Sequence, residues 1–260
     1  MDEVRVELMQ YLKELHLPTI REIFEEVAGQ AEKESLGYER YLLELVIRAR
    51  EVRSSRRIER FLRESALPFE KDIDSFDLKR LPAKTRSQVR LLLEGFFLDK
   101  KENVLAFGNP GTGKTHLLCA LSQALIRRGR RILFTKCSLL IQQLLIAKKD
   151  LKLAQFLRRL NKFEAVFIDD IGYVQQDREE MEVLFTFLAE RYEQGSVMIT
   201  SNLPFSKWEK IFKDPMTTAA AIDRVVHHSV ILELNLPSYR MEAAQKRLKN
   251  EQTSKEKDLN

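Results

Sequence analysis

The sequence predicts an α/β protein, a parallel sheet flanked by helices with a small all-helical domain in front of it. Three observations carry that expectation. Residues 1 to about 66 show helical apolar spacing and no strand signal. From about residue 70 onward, short apolar runs alternate with helical patterns, the rhythm of a parallel sheet covered on both faces. Between the first run and the helix after it stand Gly108, Asn109, Pro110, Gly111, Thr112, Gly113, Lys114 and Thr115, a complete G-x-x-x-x-G-K-[ST] phosphate-binding loop.

The N-terminal region divides into three helical stripes. Leu8, Tyr11, Leu12 and Leu15 make the first, ended near Pro18. Ile20, Ile23, Phe24 and Val27 face inward on the second, from Thr19 to about Glu34. The third, Gly37 to Leu62, carries Tyr41, Leu42, Leu45 and Val46, then Ile58, Phe61 and Leu62. Leu67 and Pro68 break the pattern, so the expected division is a helical domain over 1–66, a sheet domain over 67–248 and a polar, disordered tail over 249–260.

In the sheet domain, Leu105, Leu133, Phe167 and Ile199 mark strands, and Val230 to Leu234 a fifth. One or two extra helices fall within 139–160. Trp208, with Phe205 and Phe212, reads as a satellite core cluster rather than a base-stacking surface.

The loop dictates its own chemistry. Its glycines permit a tight turn that aims successive backbone N–H groups into one concavity for phosphate oxygens. Lys114 reaches the outer phosphates of a bound nucleotide as a point charge, and Thr115 offers a hydroxyl to Mg2+. The helix from His116 onward presents its N-terminal dipole to the same place, and His116 counts with the loop as nucleotide-binding. Residues 165–170 form an apolar strand ending in Asp169 and Asp170, and acids at strand C-termini emerge where such sheets bind ligands. Asp169 is expected to hold the metal, and Asp170 to orient or deprotonate the attacking water. Ser196 to Thr200 is a further strand, and Asn202 after it supplies an amide suited to positioning that water. Arg224 and Arg240 lie further on; spacing alone does not select them from the other arginines.

Composition sets the remaining bounds. The chain has 260 residues, 44% of them hydrophobic, enough for a packed core. No apolar run approaches a membrane span, and the acidic N-terminus has no signal-peptide core, so a cytoplasmic protein without membrane association is expected. Cys119 and Cys137 read as reduced structural thiols, and none of the four histidines has metal-ligand spacing with a cysteine. The net charge is +5, unevenly spread. Residues 1–39 hold four basic residues against ten acids, whereas 40–63 hold eight arginines against three acids. Arg53, Arg56, Arg57 and Arg60 fall at helical spacing without enough acids to pair them, a candidate nucleic-acid face. Lys148, Lys149 and Lys152 belong to a second helical basic group suited to a DNA channel.

Together these motifs resemble the AAA+ ATPases, in the branch of DnaC-type helicase loaders and IstB-like transposition helper ATPases. The resemblance rests on residues 107–117, 167–173, 199–204, 223–228 and 238–240, with 63–69 and 75–77 upstream, and covers roughly residues 38 to 248. It implies an AAA+ P-loop ATPase core. It implies that Asn202 is the first sensor, Arg224 a finger acting on a neighbouring subunit's nucleotide, and Arg240 the second sensor. It also implies a homo-oligomer that assembles with ATP on double-stranded DNA and recruits and stimulates a cognate transposase. The alternative is a helicase loader whose partner is a replicative helicase. Residues 174–178 depart from the more apolar or Pro-containing turn expected after the acidic strand.

Overall fold

The computed structural model describes residues 3–172, 177–208, 215–239 and 241–242. Arg240, Phe212, residues 174–176 and the expected tail lie outside the described residues. The chain forms two compact units, Met1–Arg60 and Phe61–Asn260, whose boundary falls inside a long helix.

The first unit is helical: α1 (Glu3–Glu14), α2 (Pro18–Lys33) and the start of α3 (Tyr38–Ser65). Pro18 opens α2, where its missing N–H costs nothing. Leu12, Val27, Ala31 and Leu45 are buried, and the Tyr41 hydroxyl donates to Phe24 O at 3.3 Å. Leu8, Tyr11, Leu15, Leu42 and Val46, expected on the inward stripes, are exposed. A unit of this size has too little interior to cover every apolar side chain on three helices. Arg48 donates to Glu44, Glu26 and Gln30, which ties α3 to α2.

The second unit carries the sheet. Along the chain come α4 (Ala83–Glu94), α5 (Phe96–Asp99), β1 (Asn103–Phe107), α6 (Lys114–Arg127), β2 (Ile132–Lys136), α7 (Cys137–Lys149) and α8 (Leu153–Leu160). Then follow β3 (Ala165–Ile171), α9 (Arg178–Arg191), β4 (Ser196–Ser201), α10 (Pro215–Val226) and β5 (Ser229–Glu233). The strands pair in the order β2-β3-β4-β1-β5, and every pair is parallel. Successive strand residues point to opposite faces, and both faces are buried, which is why the strands read as continuous apolar runs. Leu105, Val166, Ile168, Val197 and Ile199 pack with α7, α9 and α10, through residues such as Leu144, Phe187 and Val225. Val104, Ala106, Phe167 and Met198 pack with α4 and α6, through Val89, Leu92, Leu121 and Leu125.

Trp208 is fully buried in the first of these clusters, in contact with the rings of Phe107 and Phe205, and its indole N–H donates to Leu203 O at 3.2 Å. It belongs to the main core rather than to a satellite, and no face of it remains for a base. Both cysteines are buried free thiols, and burial pushes the Cys119 thiol up to about 12.

Arg191, at the end of α9, is 1% exposed and meets backbone carbonyls in place of a carboxylate. It donates to Phe163 O at 3.0 Å, Glu164 O at 3.1 Å and Ser196 O at 2.9 Å, joining the entries to β3 and β4. Burial lowers its pKa to about 10, so it remains charged at neutral pH. Replacing it strands several buried acceptors. Arg191→Met is expected to lower stability by about 3 kcal/mol, read from the urea midpoint at unchanged slope.

Candidate nucleotide-binding site

The phosphate loop hangs between β1 and α6, at the C-terminal edge of the sheet. Gly113 takes φ 95 as the residue before α6, and a Cβ there would come within 3.1 Å of the Phe76 ring. A Cβ on Gly108 would come within 2.5 Å of Leu234 O, a carbonyl fixed in place because the Leu234 amide donates to Phe107 O at 2.8 Å. Both positions therefore exclude a side chain. Lys114 is 6% exposed, and its ammonium donates to Gly108 O at 2.8 Å and Asn109 O at 3.0 Å. The loop thus holds its own cation within the concavity its amides line.

The acids separate at an irregularity in the sheet. Ile168 pairs with Ile199 and Ile171 with Ser201, so β3 takes three steps where β4 takes two. This bulge turns Asp170 into a left-handed conformation, φ 61. Asp169 is consequently buried, 5% exposed, while Asp170 is exposed and lines the cleft. The hydroxyls of Thr115 and Thr200 donate to Asp169 Oδ1, at 2.7 and 2.6 Å. Thr200 in turn accepts from the Asp170 amide at 2.8 Å. One threonine on β4 therefore fixes both acids, and the loop hydroxyl expected to meet the metal shares an oxygen with the carboxylate expected to hold it. The sequence reading did not single out Thr200, because a threonine in a strand carries no distinguishing signal.

Of these groups, Thr115 and Asp170 line a cleft of about 360 Å³, together with Lys114 and Asn202. The Oδ1 of Asn202 is buried and has no hydrogen-bond partner among the described residues. A buried polar atom without a partner is costly, and at this place it suits a water or phosphate group. The donor set also suits a hard cation: two hydroxyls, a buried carboxylate and a second carboxylate nearby.

Segments far apart in sequence supply the rest of the cleft. His116 Nε2 lies 3.0 Å from Ser75 Oγ and 3.2 Å from Asp72 O, and Phe76 meets the imidazole edge-on at 5.2 Å. The Ser75 hydroxyl and amide hold the Asp72 carboxyl below the usual range. On the other wall, the Tyr239 amide donates to Gly111 O at 3.0 Å. Arg80 stacks on Tyr239, 5.4 Å from its ring centre, and meets both oxygens of Glu242 at 2.9 Å. Phe76, Leu236 and Tyr239 give the cleft the apolar surface a purine base needs.

The structure does not bring Arg224 to this cleft. It ends α10 at the opposite, N-terminal edge of the strands, donates to Ala220 O at 3.1 Å and lies over the Phe185 ring. There it lines a second cavity, of about 270 Å³, with Lys100, Lys101, Asn103 and Arg191. The length of β1, five residues at about 3.3 Å each, separates the two edges by about 16 Å. Of the basic candidates, Arg53, Arg56, Arg57 and Arg60 are all exposed on α3, and Arg60 also interacts with a neighbouring group. Lys149 and Lys152 are exposed; Lys148 pairs with Glu182 at 3.1 Å.

Residues 10–247 match the family model described as IstB-like ATP binding protein. The chain belongs to the IstB-like ATP-binding family. An insertion-sequence ATP-binding protein of Sinorhizobium fredii is 41% identical over 94% of this IstB-like chain and 81% of its own length. One from Geobacillus stearothermophilus is 35% identical over 96% and 97%, and one from Pseudomonas aeruginosa 34% identical over 92% and 91%. Among solved structures, the DnaC helicase loader is similar at TM-score 0.54 and 18% identity, over 64% of this chain and 97% of that one. AMPPCP-bound DnaA from Aquifex aeolicus is similar at TM-score 0.55 and 17% identity, over 71% of this chain and 56% of that one. The fold of this IstB-like protein is accordingly that of the AAA+ P-loop ATPases.

Thr200→Val keeps the strand and removes the hydroxyl that orients Asp169. Affinity for magnesium–nucleotide is expected to fall about 10- to 100-fold. Binding of nucleotide in EDTA should change little, both read by titration with a fluorescent analogue.

Proposed function

We propose that this protein hydrolyses ATP at the boundary between neighbouring subunits of an oligomer assembled on duplex DNA, and that this cycle serves insertion-sequence transposition. The observation that carries the reading is the separation of parts. The loop, the acids and Asn202 gather at one edge of the sheet, and Arg224 stands at the other. A finger that cannot reach its own nucleotide is suited to a neighbour's, and head-to-tail contact brings unlike edges together.

Each residue then has a task. The loop amides and Lys114 bind the phosphates, Phe76, Leu236 and Tyr239 take the base, and Asp170 with Asn202 orients the attacking water and accepts its proton. Thr115 and Asp169 are the residues that would hold Mg2+, which neutralises charge developing on the outer phosphates. Arg224 of the neighbour stabilises that charge, and Arg240 acts as a second sensor. Because the finger belongs to the next subunit, ATP favours assembly and hydrolysis loosens it.

Duplex DNA is taken by Arg53, Arg56, Arg57 and Arg60 of α3 and by Lys148, Lys149 and Lys152 at the end of α7. Bending a site costs of order 1–6 kcal/mol, which several phosphate contacts offset. The assembled protein recruits and stimulates a transposase. The insertion-sequence proteins that resemble this chain along most of its length favour that partner over the replicative helicase of a loader.

Mixing two defective proteins tests the shared site. Lys114→Ala and Arg224→Ala are each expected to lose DNA-stimulated turnover, the latter by roughly 10³-fold or more. In an equimolar mixture about a quarter of the sites pair an intact loop with an intact arginine, so about a quarter of parental turnover should return. A mixture no more active than its components contradicts a site shared between subunits.

A further inference from the structure

The turn between α7 and α8 holds a residue that local structure does not explain. The Leu151 amide donates to Lys148 O at 3.1 Å and the Lys152 amide to Ala147 O at 2.7 Å, closing the end of α7 in a Schellman-type turn. Leu151 occupies the left-handed position of that turn, φ 57, where glycine is ordinarily found because a β-carbon crowds the backbone. The other non-glycine residues with positive φ among those described are polar, charged or alanine. Leu151 is also 95% exposed, so burial returns nothing for the strain. A glycine would be easier to fold at this place, and strain kept without structural return points to a function.

The surroundings indicate which function. Lys149 and Lys152 flank the leucine and are exposed. Among the described residues, neither forms an ion pair. Lys148, one turn back, pairs with Glu182 of α9 and so fixes the end of α7 to the helix that follows the Asp169 strand. The tip is an aliphatic point between two helices, with Lys152 following it and Lys149 two residues before it, the exposed Asp150 lying between Lys149 and the leucine. A single leucine offers too little apolar area for a stable protein interface. An apolar wedge between phosphate-binding cations is the arrangement by which proteins part a base step and kink a duplex.

We propose that Leu151 is a DNA wedge, inserted between base pairs while Lys149 and Lys152 hold the phosphates on either side. This rests on the reading of the protein as a duplex-binding assembly, and it supplies the device by which the bound DNA is bent. The lysines set affinity and the leucine sets shape, so the two are separable.

The test uses the full-length protein with a non-hydrolysable ATP analogue and a duplex of about 60 base pairs. Binding is read by anisotropy, bending by energy transfer between end labels, and unstacking by permanganate reactivity of thymines along the duplex. Leu151→Gly is expected to keep affinity within a few-fold and to keep or raise the thermal midpoint. It should lose the permanganate signal and much of the bend, and Leu151→Phe should restore both. A Leu151→Gly protein that bends and unstacks DNA as the parent does overturns the wedge. So does a parent that binds duplex without unstacking it. A parent that shows no ATP-dependent binding to duplex sinks the underlying reading instead.

Discussion

One oxygen of Asp169 organises the C-terminal edge of the sheet. It accepts from Thr115 on the phosphate loop and from Thr200 on β4, so a single buried carboxylate joins three consecutive strands of the sheet, β3, β4 and β1, through the loop that follows β1. A buried carboxylate needs such partners, since an unpaired charge in the interior is costly. The bulge in β3 is what allows the arrangement. It sends Asp169 inward to that network and leaves the Asp170 side chain on the cleft, with the Asp170 amide donating to the same threonine. Two adjacent acids acquire different surroundings from one extra residue in a strand.

The rest of the molecule follows from the parallel sheet. All strand C-termini lie at one edge, which concentrates the loop, the acids and Asn202 there, and forces the helix carrying Arg224 to end at the other. The chain thus has its phosphate loop and acids at one edge and the Arg224 guanidinium at the other. This polarity suits head-to-tail assembly, and ATP at the junction would make assembly respond to nucleotide. The basic helices would turn that response into a change in DNA grip, with the α7–α8 hairpin tied to α9 by the Lys148–Glu182 pair.

Much of this is legible in the sequence where chemistry restricts residue identity. The phosphate loop admits few alternatives to its glycines, Lys114 and Thr115, and the apolar runs fix the strands because both sheet faces are buried. Ser75, Phe76 and Asp77 entered the family resemblance only as part of a run joining the two domains, and the structure places them on the cleft. Elsewhere the signal is absent for physical reasons. Thr200 looks like any strand threonine, since its importance lies in a partner 31 residues away in sequence. The bulge that divides Asp169 from Asp170 has no glycine to announce it. Arg80, Leu236 and Tyr239 reach the cleft from segments joined only by tertiary folding. In the first unit, periodicity located the helices but overstated their burial, because spacing identifies an apolar face and not what covers it.

If ATP completes the proposed site between subunits, assembly on duplex DNA follows the nucleotide state. The most direct measurement is the light-scattering mass of the protein, of 30.5 kDa per chain, with and without duplex, in ATP analogue, ADP or no nucleotide. The account predicts a discrete oligomer on duplex DNA in the ATP analogue that falls apart in ADP. A monomer on duplex in every nucleotide state, or an oligomer that forms only on single strands, would contradict it.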